Sequence, residues 1–102
     1  MDVYKQIFVS GRVQGVFFRD STRQLAARLN LSGGVRNLAD GRVEVQVTGD
    51  ETMVQELIKW LKIGPKFAKV STIEVLDYEV TERAPDFLSL QQNGRFDIWA
   101  TK

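Results

Sequence analysis

The stretch RVEVQVTG at residues 42–49 constrains the fold more than any other part of the chain. Three valines alternate there with arginine, glutamate and glutamine, and this period of two predicts a strand with the valines buried and the polar side chains facing outwards. Asp40-Gly41 comes directly before it and favours a type I′ turn, in which both central residues have positive φ. A weaker apolar pattern lies on the other side of the turn. We therefore predict an antiparallel hairpin at the middle of the sequence.

Two segments with helical periodicity flank this hairpin. The eleven residues that begin at Asp20 repeat apolar or small side chains every three or four positions, with Asp20 or Ser21 as the expected N-cap and Ser32-Gly33-Gly34 as the expected stop. The second segment has Asp50 as its expected N-cap and ends before Gly64-Pro65. Both segments are amphipathic, so each helix is expected to cover one face of a sheet.

Further strands complete a recognisable order. Including the weak strand before the turn, they are predicted at residues 3–11, 34–39, 70–80 and 95–101. The order is then β-α-β-β-α-β with an added C-terminal strand, which is the split βαβ or ferredoxin-like arrangement. We predict an α+β fold with two helices on one face of an antiparallel sheet, and residues 1–102 as one domain.

The composition excludes several kinds of chemistry. The chain has no cysteine and no histidine, which removes thiol nucleophiles, the commonest metal ligand and every histidine-based catalytic pair. Its 14 basic and 13 acidic residues give a net charge of +1, which is weak support for nucleic-acid binding. No apolar run approaches the length of a membrane span, and the N-terminus lacks a signal-peptide pattern. We expect a cytoplasmic monomer without a metal, a cofactor, a membrane or a nucleic-acid partner.

The sequence GRVQGVFFR at residues 11–19 joins the first strand to the first helix. Gly11 and Gly15 allow backbone conformations that other residues avoid, and successive N–H groups in such a turn can form a nest for an anion. The helix N-terminus adds unpaired donors, and Arg19 can bind two phosphate oxygens with its planar guanidinium. A simple connecting loop with a solvated arginine is an equally good interpretation of these residues alone.

A second polar position is Asn37, in GVRN just before the turn. Its amide can donate and accept a hydrogen bond, so it could hold a water molecule without acting as a base. Taken alone, Asn37 fits better as a turn residue before Asp40-Gly41. The strand order does not by itself bring it to the first loop.

These motifs together resemble the acylphosphatase family. The resemblance rests on GRVQGVFFR at 11–19, GGVRN at 33–37 and DGRVEVQVTG at 40–49, and it continues through WLKIGPKFAKV at 60–70 and FDI at 96–98. It implies a ferredoxin-like enzyme that hydrolyses acyl phosphates to a carboxylate and inorganic phosphate without a metal. Inorganic phosphate is then the product and an expected inhibitor.

The resemblance also implies the roles of particular residues. The phosphate-binding arginine of the family falls on Arg19, and its water-orienting asparagine falls on Asn37. The backbone amides that hold the phosphate fall on five consecutive residues: Gln14, Gly15, Val16, Phe17 and Phe18. The chain departs from the family at Gly34, where many members have tryptophan, and we expect this change to loosen the second strand.

Two other functions are compatible with the same order of elements. A regulatory domain without catalytic activity could bind a phosphorylated ligand through the same loop. An RNA-binding module shares the β-α-β-β-α-β order but stacks bases on aromatic side chains of its central strands, and the strand at 42–49 has none. Four lysines around the end of the second helix are predicted to form a solvated basic rim, because cations are favourable there: Lys59, Lys62, Lys66 and Lys69.

Overall fold

The structure is a computed structural model and describes residues 2–78 and 95–102. The elements, in chain order, are β1 (Asp2–Arg12), α1 (Phe18–Arg28), β2 (Ser32–Asn37), β3 (Val43–Asp50), α2 (Glu51–Leu61), β4 (Lys69–Tyr78) and β5 (Phe96–Ile98). The strands form one sheet in the order β4-β1-β3-β2-β5. The predicted ferredoxin-like α+β fold is confirmed.

The sheet is mixed, which corrects the expected antiparallel sheet at one edge. The pairs β1–β3, β1–β4 and β2–β3 are antiparallel, whereas β5 runs parallel to β2 with Val35 opposite Ile98. A parallel pair needs a long connection between its strands, and most of the chain separates β2 from β5. A strand of three residues carries too little pattern to specify its direction.

The hydrophobic core lies between the two helices and one face of the sheet. Its sheet side consists mainly of valines and isoleucine from the central strands, which are fully buried, including Ile7, Val9, Val43, Val45 and Val47. The α2 helix contributes its stripe of Val54, Leu57, Ile58 and Leu61. The predicted inward face of β3 is therefore confirmed.

The opposite face of β3 is also buried, which the alternating pattern did not predict. Glu44 is 3% exposed and Gln46 is 2% exposed. Glu44 accepts hydrogen bonds from Gln6, from Arg36 at 2.6 Å and from Gln46 at 3.2 Å. A network of polar side chains therefore covers the centre of this face, and the Glu44 carboxylate at its centre has partners on neighbouring strands.

The turns and helix ends differ in detail from the predictions. Gly41 has a φ of 97°, but Asp40 does not have positive φ, and the Gly41 N–H donates to the Leu38 carbonyl at 3.1 Å. This is a three-residue hairpin loop ending in a left-handed glycine, the alternative to the expected type I′ turn. The α1 helix begins two residues before Asp20, and Ser32-Gly33-Gly34 lies in β2 rather than ending the helix.

The second helix begins as the sequence predicts. The Asp50 carboxylate accepts a hydrogen bond from the Thr52 N–H at 3.1 Å, which satisfies one of the unpaired donors of the first turn. Neither helix in the described ranges is long and apolar enough to cross a membrane.

Candidate active site

The loop between β1 and α1 (residues 13–17) is fixed at both ends by buried side chains. Val13 and Phe18 are each 1% exposed, and the Phe18 ring packs on Trp60 with a centroid separation of 5.6 Å. A Cβ at Gly64 would lie 2.8 Å from the Phe18 ring, so the chain after α2 also closes over Phe18. Buried side chains therefore anchor both ends of the loop to the core.

The two glycines of the loop region have the left-handed conformations that the sequence predicts. Gly11 has a φ of 122°, and a Cβ there would lie 2.2 Å from the Lys69 carbonyl oxygen of β4. The β1–β4 register shifts next to this glycine. Gly15 has a φ of 74°, and no atom lies within 4 Å of the position of a Cβ. Gly11 thus allows the close approach of two strands, whereas Gly15 faces open space.

The first turn of α1 has backbone donors that no side chain caps. Phe17 occupies the N-cap position without a side-chain hydrogen bond, and the first intrahelical bond runs from the Ser21 N–H to the Phe17 carbonyl at 3.1 Å. The N–H groups of the residues before Ser21 have no partner inside the helix. Together with the helix dipole, they favour an anion at this end.

Arg19 lies at this helix end without an ionic partner in residues 2–78 and 95–102. Its neighbour Asp20 is already engaged, because it accepts hydrogen bonds from Arg23 at 3.0 Å and from Gln24 at 2.7 Å. The hydrogen bond from Arg23, and then that from Gln24, lower the pKa of Asp20. The guanidinium of Arg19 is therefore available to an external anion.

A hollow of about 310 Å³ opens at this point and is called here the anion hollow. It is lined by Val13, Gly15, Phe17, Phe18, Arg19, Asp20 and Ile98. Four of the residues named from the sequence thus come together: Gly15, Phe17, Phe18 and Arg19. Ile98, to which the sequence analysis gave no role in the site, also lines the hollow, and it lies on β5 beside β2.

Gln14 connects the loop to the β2–β3 hairpin. Its Nε2 donates to the Leu38 carbonyl and to the Arg42 carbonyl, both at 2.9 Å. Leu38 directly follows Asn37, so these bonds fix the end of β2 against the loop. The sequence interpretation named the backbone of Gln14, but the role of its side chain in joining two segments was missed.

Asn37 is the last residue of β2 and lies on the face of the sheet that carries the helices, opposite Val43. Its Oδ1 is buried and has no hydrogen-bond partner within the described part of the chain. A buried acceptor without a partner is costly and is typical of a site completed by a ligand or water. Asn37 does not itself line the anion hollow, and neither do Gln14 and Val16.

The described ranges contain no group of three acidic side chains placed to hold a metal ion. The anion hollow instead has main-chain donors and the Arg19 guanidinium, beside the Asp20 carboxylate that is engaged with Arg23 and Gln24. Such donors can bind and orient oxyanions, and they cannot act as strong bases at neutral pH.

Comparison with known proteins identifies the family. A family profile described as acylphosphatase matches residues 5–88. The chain is 57% identical over 70 residues to an acylphosphatase of Rubrobacter xylanophilus, across 69% of this chain and 64% of that protein's length. The structure is similar to an acylphosphatase from Coxiella burnetii, with a TM-score of 0.79 and 34% identity over 96% of this chain and 93% of that chain. For the Bacillus subtilis acylphosphatase the TM-score is 0.80, with 34% identity over 95% and 98% of the two chains.

The fold and these similarities define a small ferredoxin-like α+β protein with an open hollow at the N-terminus of α1. The chain belongs to the acylphosphatase family of enzymes. The match covers both GRVQGVFFR and GGVRN, the two motifs that carried the resemblance.

Proposed function

We propose that the chain hydrolyses the carboxyl–phosphate bond of acyl phosphates to a carboxylate and inorganic phosphate. The observation that carries this proposal is an arginine without an ionic partner in the described ranges, beside an uncapped helix N-terminus in an open hollow. Membership of the acylphosphatase family supports the same reaction.

The phosphoryl group would be held by the loop backbone and Arg19. The N–H groups of residues 14–18 would donate to the phosphoryl oxygens, and the partial positive charge at the α1 N-terminus would add to their effect. The Arg19 guanidinium matches two phosphoryl oxygens at once. The loop backbone is anchored by its buried ends before substrate arrives, so its donors stabilise the charge of the transition state without reorganising.

Asn37 would place the attacking water. The unpartnered Oδ1 can accept a hydrogen bond from one water O–H, which directs a lone pair of the water oxygen towards phosphorus. Gln14 supports this geometry because it holds the residue after Asn37 against the loop. The water oxygen then forms the new bond to phosphorus as the bond to the carboxylate oxygen breaks.

A strong protein base is not needed for this reaction. The leaving carboxylate is stable as an anion, and phosphoryl transfer passes through a loose transition state in which positioning and charge neutralisation dominate. The water proton can pass to a phosphoryl oxygen or to solvent after the phosphorus–oxygen bond has formed. The reaction is proposed to proceed without a metal or cofactor.

The proposal is tested with benzoyl phosphate, whose hydrolysis is followed by ultraviolet absorbance. Arg19→Ala is expected to lower kcat/KM by about a hundredfold or more and to weaken competition by inorganic phosphate. Arg19→Lys should recover little, because an ammonium cannot bind two oxygens in one plane. A parent protein that turns over no acyl phosphate would leave the phosphate-binding regulatory domain as the better description.

Asn37→Ala separates binding from chemistry. It should leave the inhibition constant of inorganic phosphate near the parent value while kcat falls by about a hundredfold. Parent-like turnover in this variant would refute the role of Asn37.

Addition of EDTA to the parent protein is expected to change neither kcat nor the inhibition constant of inorganic phosphate. Loss of activity in EDTA would reveal a metal requirement.

The state and partners of the protein are part of the same proposal. We propose a cytoplasmic monomer that acts on small molecules and does not bind nucleic acid, supported by the lack of cysteine and the near-zero net charge. Size-exclusion chromatography and a single-stranded RNA binding assay test the oligomeric state and the absence of nucleic-acid binding.

A further inference from the structure

A second hollow of about 390 Å³ lies next to the anion hollow and is called here the basic hollow. Gly15 and Phe17 line both hollows, so Phe17 separates them. The other residues around the basic hollow come from the end of β1, the loop, and the segment leading into β4: Arg12, Val16, Lys66, Phe67, Ala68 and Lys69. Among the described residues, its lining therefore contains two phenylalanines and three cations but no acidic side chain.

The two phenylalanines have no role in the core. Phe17 is 78% exposed and Phe67 is 66% exposed, although large aromatic side chains are normally among the most buried. Phe17 also has a φ of 62°, an uncommon conformation for a bulky residue. Strained backbone clusters at functional sites, and contiguous exposed apolar surface marks interaction or ligand sites.

The cations are arranged unfavourably for the protein alone. Arg12 lies directly opposite Lys69 in the β1–β4 pairing, and like charges in such a cross-strand pair repel. Neither forms an ion pair within the described part of the chain. Lys66 Nζ lies 5.5 Å from the centre of the Phe67 ring, so this third cation is held on the aromatic surface. An anion between these side chains would relieve the repulsion.

We propose that the basic hollow binds the acyl group of a substrate whose apolar body ends in a second anion. This inference rests on the proposed acyl phosphate hydrolysis, because the phosphoryl group must occupy the anion hollow on the other side of Phe17. The apolar body contacts Phe17 and Phe67, and the distal carboxylate or phosphonate lies among Arg12, Lys66 and Lys69. The sequence predicted a solvated rim of four lysines. Two of them, Lys66 and Lys69, line the basic hollow, whereas Lys59 does not.

The test compares substrates that share the same scissile bond. Acetyl phosphate has no group to enter the basic hollow, benzoyl phosphate adds an apolar ring, and para-carboxybenzoyl phosphate adds a distal anion that cannot cyclise onto the phosphate. A fourth substrate, para-phosphonobenzoyl phosphate, distinguishes a preference for a phosphate-like anion from one for a carboxylate. The measured quantity is the catalytic efficiency, kcat/KM, for each substrate relative to acetyl phosphate.

Lys69→Met removes one cation at an exposed position and should not disturb folding. The relative catalytic efficiency for para-carboxybenzoyl phosphate is expected to fall by about threefold, the size of a surface charge contact, and that for benzoyl phosphate should stay constant. Lys69→Arg should retain the preference for para-carboxybenzoyl phosphate.

Phe67→Ala should lower the relative kcat/KM of every substrate that carries a ring. Lys59→Met, on the last turn of α2, is the matched control and should leave every relative kcat/KM unchanged.

Rising salt gives an independent check. The advantage of para-carboxybenzoyl phosphate over benzoyl phosphate should shrink as ionic strength increases, because exposed charges are screened. If acetyl phosphate is hydrolysed but Lys69→Met, Phe67→Ala and salt leave every ratio unchanged, the basic hollow is not a subsite and the proposed hydrolysis stands. If no acyl phosphate is hydrolysed, both proposals are wrong.

Discussion

Replacement of Gln14 by alanine tests how the site is held together. Gln14 is the side chain that joins the loop to the β2–β3 hairpin, through bonds of 2.9 Å to the Leu38 and Arg42 carbonyls. Gln14→Ala removes both bonds without touching the donors that are proposed to bind phosphate. The loop and the end of β2 would then be free to separate, and Asn37 would move with the hairpin.

The expected loss of stability follows from the partners of the two carbonyls. Each net hydrogen bond is worth about 1 kcal/mol, and an orphaned buried partner would add a further penalty. Here no partner is orphaned, because the Leu38 carbonyl also accepts from the Gly41 N–H and the Arg42 carbonyl from the Leu38 N–H. We therefore expect the free energy of unfolding to fall by about 1–2 kcal/mol.

Urea unfolding and benzoyl phosphate turnover measure the two consequences. Gln14→Ala should lower kcat more than it weakens phosphate inhibition, because the position of Asn37 is lost while Arg19 stays. Gln14→Glu should be at least as damaging, since a carboxylate cannot donate to a carbonyl. Gln55→Ala, at an exposed position of α2, is the control and should change stability by less than about 0.5 kcal/mol. Parent-like stability and kcat in Gln14→Ala would refute the bridging role.

Three further substitutions test the surrounding structure. Gly34→Ala should destabilise the fold by about 1–3 kcal/mol in urea unfolding, since the new Cβ would lie 2.0 Å from the Trp99 ring; unchanged stability would contradict this packing. Phe17→Gly should leave the free energy of unfolding unchanged or raise it by up to about 1 kcal/mol, because glycine adopts positive φ without strain. A clear decrease in the free energy of unfolding would show that the exposed ring stabilises the fold. Burial raises the pKa of Glu44, but hydrogen bonds from Gln6, Arg36 and Gln46 outweigh it and leave that pKa below its usual 4.5. The ionised Glu44 carboxylate therefore stabilises the folded state above about pH 4.5, and this contribution is lost as the pH falls through the lowered pKa of Glu44. Glu44→Gln should have a smaller free energy of unfolding than the parent at neutral pH, and the difference between the two proteins should narrow below about pH 4.

The order of elements could be predicted because each signal is local. The alternation over residues 42–47, the Asp50 cap and the stop near Gly64 all act within a few residues, and the structure confirms these elements. The direction of β5 could not be predicted, because three residues do not encode which neighbour they join. The turn type at Asp40-Gly41 also depends on how the Leu38 and Arg42 backbone groups pair, which the dipeptide alone does not specify.

The site was predictable in part for a similar reason. Gly15, the start of α1 and Arg19 lie within five consecutive residues, so their meeting in one hollow is a local event. The contact between Gln14 and the hairpin joins residues 24 and 28 positions apart, and the basic hollow joins residue 12 to residue 69. Those arrangements depend on strand pairing, so no local pattern in the sequence predicts them.

Gly34 shows how a distant residue can replace a missing local one. The expected loosening of β2 assumed that glycine leaves a gap where related proteins have an aromatic side chain. The Trp99 ring instead lies directly against Gly34, the Trp99 N–H donates to the Val35 carbonyl at 2.8 Å, and the Arg36 guanidinium lies 5.4 Å from the ring centre. The aromatic surface over β2 is thus supplied from the residue after β5. Because this contact fixes the strand that ends in Asn37, the position of the proposed water-orienting amide depends on Trp99 as well as on Gln14.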